Sequence, residues 1–194
     1  MRNKFLLALT LSVFSLAGAS AQAQTSSWMI DPVHSSAGFE IRHLSVSNVR
    51  GTIGGVKGTV TLNEKDLTKS SVDATLDATT VSTGNEKRDT DLKSPRFFDV
   101  AKNPQIAFKS TSLAKAGDKL QLTGDLTLGG VTKSVTLDVD GPAPPQTDKN
   151  GKVRSGFSAT GMLKRSEFNF GPTFAPPVLG DQVKFTIDLE IDKQ

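Results

Sequence analysis

The 194-residue sequence contains no cysteine, no tyrosine, one tryptophan and two histidines. Without cysteine there is neither a disulfide framework nor thiol catalysis, so the apolar core must stabilise the fold alone. His34 and His43 are too few for a zinc site of three or four nitrogen ligands, and the HExxH spacing is missing. The sequence also lacks GxSxG, phosphate-loop and dinucleotide-binding motifs. We therefore predict no metal, no cofactor and no enzymatic activity.

Long apolar runs are missing beyond the N-terminus. The basic residues MRNK precede a short apolar run, and small residues follow around Ala21 and Ala23. This order is typical of a secretory signal peptide and too short for a spanning helix. We predict that residues 1–23 are removed after Ala21 or Ala23, and that residues 24–194 form one domain, soluble in the periplasm.

Strong charge of one sign is missing as well. Loss of Arg2 and Lys4 with the signal peptide reduces the basic residues from 23 to 21, against 20 acidic residues. The mature net charge is then +1, and charges of both signs alternate along the chain. The sequence shows no cluster of basic residues that could bind along a polyanion, so nucleic acid is not a predicted partner.

Period-two alternation of apolar and polar residues dominates the rest of the chain, and it is cleanest over Val183–Ile191. Eight or so such segments with regular turn signals predict an antiparallel all-β domain, either a sandwich or a barrel. Glycines within Val49–Leu62 indicate a kink between two strand pieces. The other predicted strands are Ser26–Ile30, Ser36–His43, Val72–Val81, Gln105–Leu113, Leu120–Leu128, Thr132–Val139 and Arg154–Leu163.

One stretch, residues 83–108, does not follow the strand pattern. Thr83 and Glu86 have capping-box spacing, which predicts a helix that begins there and ends near Lys93, before the Ser94-Pro95 turn. The turn brings Phe97 and Phe98 together. We expect a helical lid over one end of the β-structure, either as a plug for a packed core or as the gate of a cavity.

Phenylalanine supplies most of the aromatic residues, and nine of the 11 lie after the signal peptide. Phenylalanine has no polar atom and suits a dry interior, whereas tyrosine and tryptophan suit wet surfaces. An ordinary packed core and a deep apolar cavity both fit this usage, because a packed sandwich and a hollow barrel alternate identically.

Several motifs follow one another in a characteristic order along the mature chain. The central motif spans Arg88–Asp99, RDTDLKSPRFFD, and continues to Asn103-Pro104 and Phe108. The motifs before and after it are WMID with HS at 28–35, FEIRH at 39–43, GDLTLGGVTK at 124–133, KRSEF at 164–168 and GDQV at 180–183. Together they resemble the YceI-like family of exported bacterial proteins, and the likeness covers nearly the whole mature chain.

The resemblance implies an eight-stranded antiparallel lipocalin-like barrel with a helical insertion. It also implies an elongated hydrophobic cavity that binds a polyisoprenoid or related long-chain lipid, for transport, storage or sequestration. Phe97 and Phe98 match the family's aromatic pair, and Arg88, Asp89 and Asp99 match its charged positions. The predicted apolar ligand contacts are Phe39, Ile41, Phe97, Phe98, Phe108, Phe168, Phe170 and Phe174.

Polar groups at the cavity mouth would hold a ligand head group. The candidates are His34, His43, Arg42 and Arg96.

Two other functions stay open at this point. A packed domain with an exposed face would bind another exported protein, and an enzyme acting on a small lipid would use His34 with a carboxylate such as Asp31 or Asp99. Strand edges near the glycine-rich segment leave a homodimer open, and transient contact with a membrane is also open.

Overall fold

The structure is a computed structural model that describes residues 25–194. The predicted signal peptide, residues 1–23, lies outside the described residues and stays a prediction. Within residues 25–194, no helix has the length and apolar composition needed to cross a membrane.

Eleven strand segments and one α-helix make up the described chain. The strands are β1 Thr25–Ile30, β2 Ser36–His43, β3 Ser47–Ile53, β4 Lys57–Asn63, β5 Ser71–Asp77, β6 Gln105–Ala116, β7 Lys119–Leu128, β8 Val131–Asp140, β9 Gln146–Thr147, β10 Val153–Lys164 and β11 Leu179–Lys193. The helix, α1, spans Glu86–Lys93. Short 3₁₀ helices occupy Leu67–Lys69, Ala78–Thr80 and Arg165–Phe168.

The sheet closes on itself because β11 pairs on both of its edges. One edge pairs with β10 from Gln182 to Asp192, and the other pairs first with β2 and then with β1. From β1 the antiparallel order runs through β4, β5, β6, β7 and β8 to β10, which returns to β11. The result is a closed eight-stranded antiparallel barrel, so the predicted fold class is confirmed.

The eleven segments form only eight barrel strands. Two of the barrel strands are each interrupted into two segments, and the short segment β9 lies outside the barrel. Asp31-Pro32 separates β1 from β2, and Gly54-Gly55 separates β3 from β4, so each pair forms one bent strand. Gly55 has a φ of +65°, a conformation that glycine adopts without steric cost. The predicted kink between two strand pieces is confirmed. The two-residue β9 pairs only with β10.

The lid segment, residues 83–104, leaves the barrel after β5 and returns at β6. Its helix ends at Lys93 as predicted, but the predicted cap is wrong. Asn85 is the N-cap, and its side chain accepts a hydrogen bond from the amide of Arg88 at 3.0 Å. Thr83 instead donates its amide and hydroxyl to the carboxylate of Asp89. Both residues cap helices well, and sequence spacing alone does not choose between them.

The strand predicted over Val72–Val81 is shorter than expected. It ends at Asp77, whose carboxylate accepts a hydrogen bond from the amide of Thr79 and starts the 3₁₀ turn Ala78–Thr80. This turn points the chain towards the lid segment. We call the end of the barrel beneath the lid segment the lid end, and the end that carries Leu67–Lys69 the opposite end.

Candidate functional site

A cavity of about 430 Å³ runs along the inside of the barrel. Side chains of the lid segment and of the loop between β10 and β11 line it at the lid end, and Leu67, Ser70 and Ser71 line it at the opposite end. Of its exposed lining residues, three (His43, Arg88 and Val178) lie at the lid end and one, Ser71, at the opposite end. We therefore place the mouth of the cavity at the lid end.

The inward-facing side chains of β11 distinguish a hollow barrel from a packed one. Val183, Phe185, Ile187 and Leu189 alternate with exposed polar residues and line the cavity, yet each is only partly buried. In a close-packed interior, such residues would be almost fully enclosed by neighbouring side chains. Their residual exposure is to the cavity, so the interior is hollow along this strand.

Two phenylalanine rings on the cavity wall lie against glycines of neighbouring strands. Phe39 pairs with Gly51, and Phe185 pairs with Gly161. A Cβ at Gly51 would lie 2.3 Å from the Phe39 ring, and a Cβ at Gly161 would lie 2.4 Å from the Phe185 ring. Since only glycine leaves this space, each ring lies along the wall and the centre of the barrel stays open.

Four phenylalanine rings cover the cavity at the lid end. Phe97 and Phe98 come from the lid segment, whereas Phe170 and Phe174 come from the loop between β10 and β11. The Phe170 ring meets the edges of Phe97 and Phe98 at centroid distances of 5.3 and 4.7 Å, and Phe174 stacks on Phe97 at 5.7 Å. These contacts join the two irregular segments across the mouth.

Arg165 holds the loop that carries two of these rings. It is 4% exposed, and its guanidinium donates hydrogen bonds to five backbone carbonyls, those of Phe170, Gly171, Phe174, Leu179 and Gly180. The planar guanidinium carries five N–H donors, so all of them are used. No carboxylate lies within 4 Å of it in the described chain, and the buried positive charge is compensated by carbonyl dipoles alone.

The polar groups on the cavity lining are concentrated at the mouth. Arg88 donates through Nε to the Thr83 hydroxyl at 2.8 Å and through Nη2 to the Thr83 carbonyl at 3.1 Å. Asp91 forms an ion pair with Arg96, whose guanidinium lies 5.5 Å from the centre of the Phe174 ring. The lining is otherwise almost entirely aliphatic and aromatic, so the cavity suits an apolar chain with a polar group at the mouth.

The structure brings most of the predicted ligand residues to the cavity. Those that line it are Phe39, Ile41, His43, Phe97, Phe98, Phe108, Phe170 and Phe174. The four others lie elsewhere. Phe168 is buried in the core at 2% exposure, and His34 lies on the outer surface. Arg96 and Arg42 lie outside the lining, next to Asp91 and Asn48 respectively.

His34 belongs to a charged cluster on the outside of the barrel, towards the opposite end. Its Nδ1 lies 2.9 Å from Asp31 Oδ2 and 3.6 Å from Glu190 Oε1. The hydrogen bond with Asp31, followed by the charge of Glu190, raises the pKa of His34 above its usual value. The hydrogen bond with His34 in turn lowers the pKa of Asp31. The carboxylate partners are Asp31 and Glu190, and Asp99 instead pairs with Lys102 at 3.4 Å.

Metal ligation by this cluster is opposed by a neighbouring cation. The ligand atoms of Asp31, His34 and Glu190 lie within 4.8 Å of one another. However, Arg154 Nη1 lies 3.2 Å from the same Glu190 oxygen, and Arg154 also pairs with Asp192 at 3.3 Å. A guanidinium in this position already supplies the positive charge, so the arrangement is that of an ion-pair network.

Sequence reasoning missed two contributors to the site. Arg165 is the first of these, because nothing in its spacing distinguishes a buried arginine from an exposed one, and only the KRSEF motif at 164–168 singles it out. The individual aliphatic residues of the lining, apart from Ile41, are the second contributor that the sequence did not identify as ligand contacts. Alternation along a strand predicts which face is inward, but periodicity does not say whether such a face meets a cavity or another side chain.

Comparison with known proteins identifies relatives along almost the whole chain. The sequence model of the YceI-like domain matches residues 28–191. Protein YceI of Salmonella newport is 38% identical over 190 residues, which covers 97% of each chain.

Solved structures give the same fold. The YceI protein of Campylobacter jejuni superposes with a TM-score of 0.70 at 30% identity, and the match covers 79% of this chain and 90% of that one. A polyisoprenoid binding domain from Saccharophagus degradans superposes with a TM-score of 0.62 at 13% identity, over 87% and 99% of the two chains. The first supports common ancestry, whereas the second shows the barrel alone.

Proposed function

The chain belongs to the YceI-like family, and from this membership and its hollow barrel we propose that it binds a long-chain isoprenoid or a similar amphiphilic lipid without acting on it chemically. The observation that carries the proposal is the partial burial of the inward-facing residues of β11, which leaves apolar side chains facing open space. The Saccharophagus degradans domain, described as polyisoprenoid-binding, has the same fold and supports the choice of ligand class.

The physical basis of affinity is the removal of apolar surface from water. Each buried CH₂ group of a ligand contributes about 0.8 kcal/mol, so a long chain gains affinity from the aliphatic lining without needing a reactive group. The head group would lie at the mouth, where His43, Arg88 and Asp91 supply the polar contacts. A phosphate or a quinone oxygen fits a guanidinium donor such as Arg88.

The enzyme alternative has less support. Its proposed base, His34, lies on the outer surface with Asp31 and Glu190 and does not line the cavity. A lipid chain inside the barrel would therefore be out of reach of this group. We propose binding followed by transport, storage or sequestration, in the periplasm, because the N-terminal sequence carries the features of an export signal.

The test is to purify the protein after export from a bacterial host and to measure its mass under native conditions, with extraction and identification of any released lipid. We expect a stoichiometric long-chain compound. The variant Ala159→Trp places an indole in the cavity, since Ala159 lines it on β10, and should lose the lipid while remaining folded.

Ala107→Trp is the matched control, because Ala107 alternates with the cavity residues Ile106 and Phe108 on β6 and is not part of the lining. Equal lipid content in the wild type and in Ala159→Trp would contradict the proposal. A lipid-free wild type that stays so after incubation with polyprenyl lipids would contradict it as well.

A further inference from the structure

Three exposed apolar side chains lie together beside the mouth of the cavity. Leu44 and Val46 form the tip of the β2–β3 hairpin and are 50% and 78% exposed. Val178, which is 44% exposed and lines the cavity, lies on the adjoining loop. The amide of Leu44 donates a hydrogen bond to the carbonyl of Val178 at 3.1 Å, so hairpin and loop form one surface. We call these three residues the mouth patch.

The residues at the hairpin tip do not suit the turn that they form. Leu44 and Ser45 have φ values of +52° and +57°, and Val46 donates its amide to the carbonyl of His43 at 3.0 Å. A tight hairpin turn with two positive φ angles strongly prefers Asn-Gly, because a side chain such as leucine is strained in the left-handed region. Folding alone would favour different residues here, so the exposed leucine calls for another explanation.

The charges around the mouth patch are complementary to phosphate. The guanidinium of Arg42 donates to the Ser45 carbonyl at 3.1 Å and to the Asn48 side chain at 2.9 Å, which fixes it at the hairpin tip. Arg88 is fixed at the mouth by Thr83. In residues 25–194 neither arginine has a carboxylate within 4 Å, whereas the nearby acids Glu40 and Asp91 are paired with Arg50 and Arg96. Each of the two guanidinium groups is therefore held by neutral acceptors, and the nearest acid to Arg88, Asp89, contacts it only through the shared Thr83 hydroxyl.

From these observations we propose that the mouth patch docks onto the surface of a phospholipid bilayer, with Leu44 and Val46 inserted among the acyl chains and Arg42 and Arg88 at the phosphates. Apolar side chains flanked by cations are the usual means by which a protein binds a membrane interface. Docking would bring the mouth against the leaflet, so that a lipid could pass between bilayer and cavity without crossing water. This inference rests on the proposed function for its purpose, but the docking itself is measurable without any ligand.

The experiment is flotation of the purified full chain with vesicles of phosphatidylethanolamine and phosphatidylglycerol. We expect the wild type to float with the vesicles. The double variant Leu44→Asn with Val46→Ser should have a vesicle partition coefficient that is lower by a factor of about ten or more, because it loses the transfer free energy of two apolar side chains. Val33→Ser is the matched control, because Val33 is 81% exposed but lies beside the charged cluster, away from the mouth. It should float like the wild type.

The double variant also carries its own test of folding. Asparagine tolerates a positive φ better than leucine, so Leu44→Asn relieves strain and should raise the melting temperature while it weakens vesicle binding. Lipid uptake from detergent solution should be unchanged, which separates failure of docking from failure of the proposed function. Replacing both Arg42 and Arg88 with Gln should weaken binding to vesicles that contain phosphatidylglycerol more than binding to pure phosphatidylcholine.

Two results would overturn the proposal. The first is flotation of the Leu44/Val46 variant equal to that of the wild type. The second is that the wild type does not float, that its sedimentation coefficient rises with protein concentration, and that this concentration dependence is lost in the double variant. That result would mean that the mouth patch binds a second copy of the chain.

Discussion

The cations of the charged cluster and three arginines at the lid end are held by different kinds of acceptor. Towards the opposite end, the cations of the charged cluster are paired: Lys152 lies 2.6 Å from Asp192, and Arg154 contacts Asp148, Glu190 and Asp192. At the lid end, Arg42, Arg88 and Arg165 have no carboxylate within 4 Å in the described chain. Their guanidinium groups are held by carbonyl, amide and hydroxyl oxygens instead.

The backbone differs in the same direction. The four non-glycine residues with positive φ in residues 25–194 are Leu44, Ser45, Asp99 and Asn169, and each belongs to a turn at the lid end. Such a conformation costs roughly 1–2 kcal/mol for a residue such as Leu44, whereas asparagine and aspartate adopt it more readily. The strained turn at Leu44-Ser45 and the three arginines without a carboxylate within 4 Å all belong to the lid end of the described chain. We infer that this end of the barrel gives up stability for function.

The largest loss of stability is expected from Arg165→Met. Removing the guanidinium leaves five backbone carbonyls without their donor, and an unsatisfied buried carbonyl costs about 1–3 kcal/mol. Some of these carbonyls would reach water as the exposed loop loosens, so we expect the free energy of unfolding to fall by about 3 kcal/mol or more. Urea denaturation measures this, and a loss below about 1 kcal/mol would mean that the lid end does not depend on this arginine.

Two variants sharpen that experiment. Arg165→Lys keeps the charge but offers only three donors from one point, so it should recover a minor part of the loss. Lys164→Met removes an exposed neighbour whose ion pair with Glu167 is 3.9 Å long, and it should change stability by less than about 0.5 kcal/mol.

A smaller effect is expected from Phe170→Ala. Phe170 contacts both Phe97 and Phe98, so its loss separates the lid segment from the loop between β10 and β11. Because the ring is only partly buried, we expect a loss of about 2 kcal/mol in the free energy of unfolding. Amide hydrogen exchange should accelerate in residues 86–104 and remain unchanged in β7 and β8. Uniform acceleration across the barrel would indicate that the lid end is not a separate unit of stability.

Sequence patterning predicted the strands well because the alternation of apolar and polar residues reports directly which face of a strand is inside, whereas the choice of a barrel over a sandwich came from the family resemblance. The strand over Val183–Ile191 was located correctly for this reason, and so was the kink at Gly54-Gly55. The predicted helix cap is wrong because it rests on the capping-box spacing of Thr83 and Glu86, although asparagine is the better N-cap residue. In the structure Thr83 binds the carboxylate of Asp89, and Asn85 caps the helix.

The candidate site was predictable only in part. Phe97 and Phe98 stand out by composition and lie on the cavity as expected, whereas Phe168 has the same local sequence character but points into the core. The orientation of a residue in an irregular segment depends on long-range contacts that no local period records. The cavity itself was predicted from the resemblance to a family and not from the pattern of residues, because hollow and packed barrels have the same alternation of apolar and polar residues.

The smallest change in stability is expected from substitutions in the charged cluster around His34, and it depends on pH. The pKa of His34 is raised by its hydrogen bond with Asp31 and by the charge of Glu190, so its contribution to stability is complete below the usual pKa of 6.5 and is lost as pH rises through the raised pKa. The pKa of Asp31 is lowered, so its contribution is present above 3.8 and is lost as pH falls through the lowered pKa. The pair therefore stabilises the fold most between these limits.

His34→Gln should consequently reduce stability at about pH 5, and the loss should shrink towards about pH 9 as pH rises through the raised pKa. His43→Gln is the control for the loss of an exposed imidazole, because no carboxylate lies within 4 Å of its ring in the described chain. Thermal unfolding of the three proteins at both pH values measures the difference. If the stability difference between His34→Gln and the wild type is the same at both pH values, His34 does not contribute to the stability of the charged cluster. The contrast between the two ends of the barrel would then depend on Lys152 and Arg154 alone.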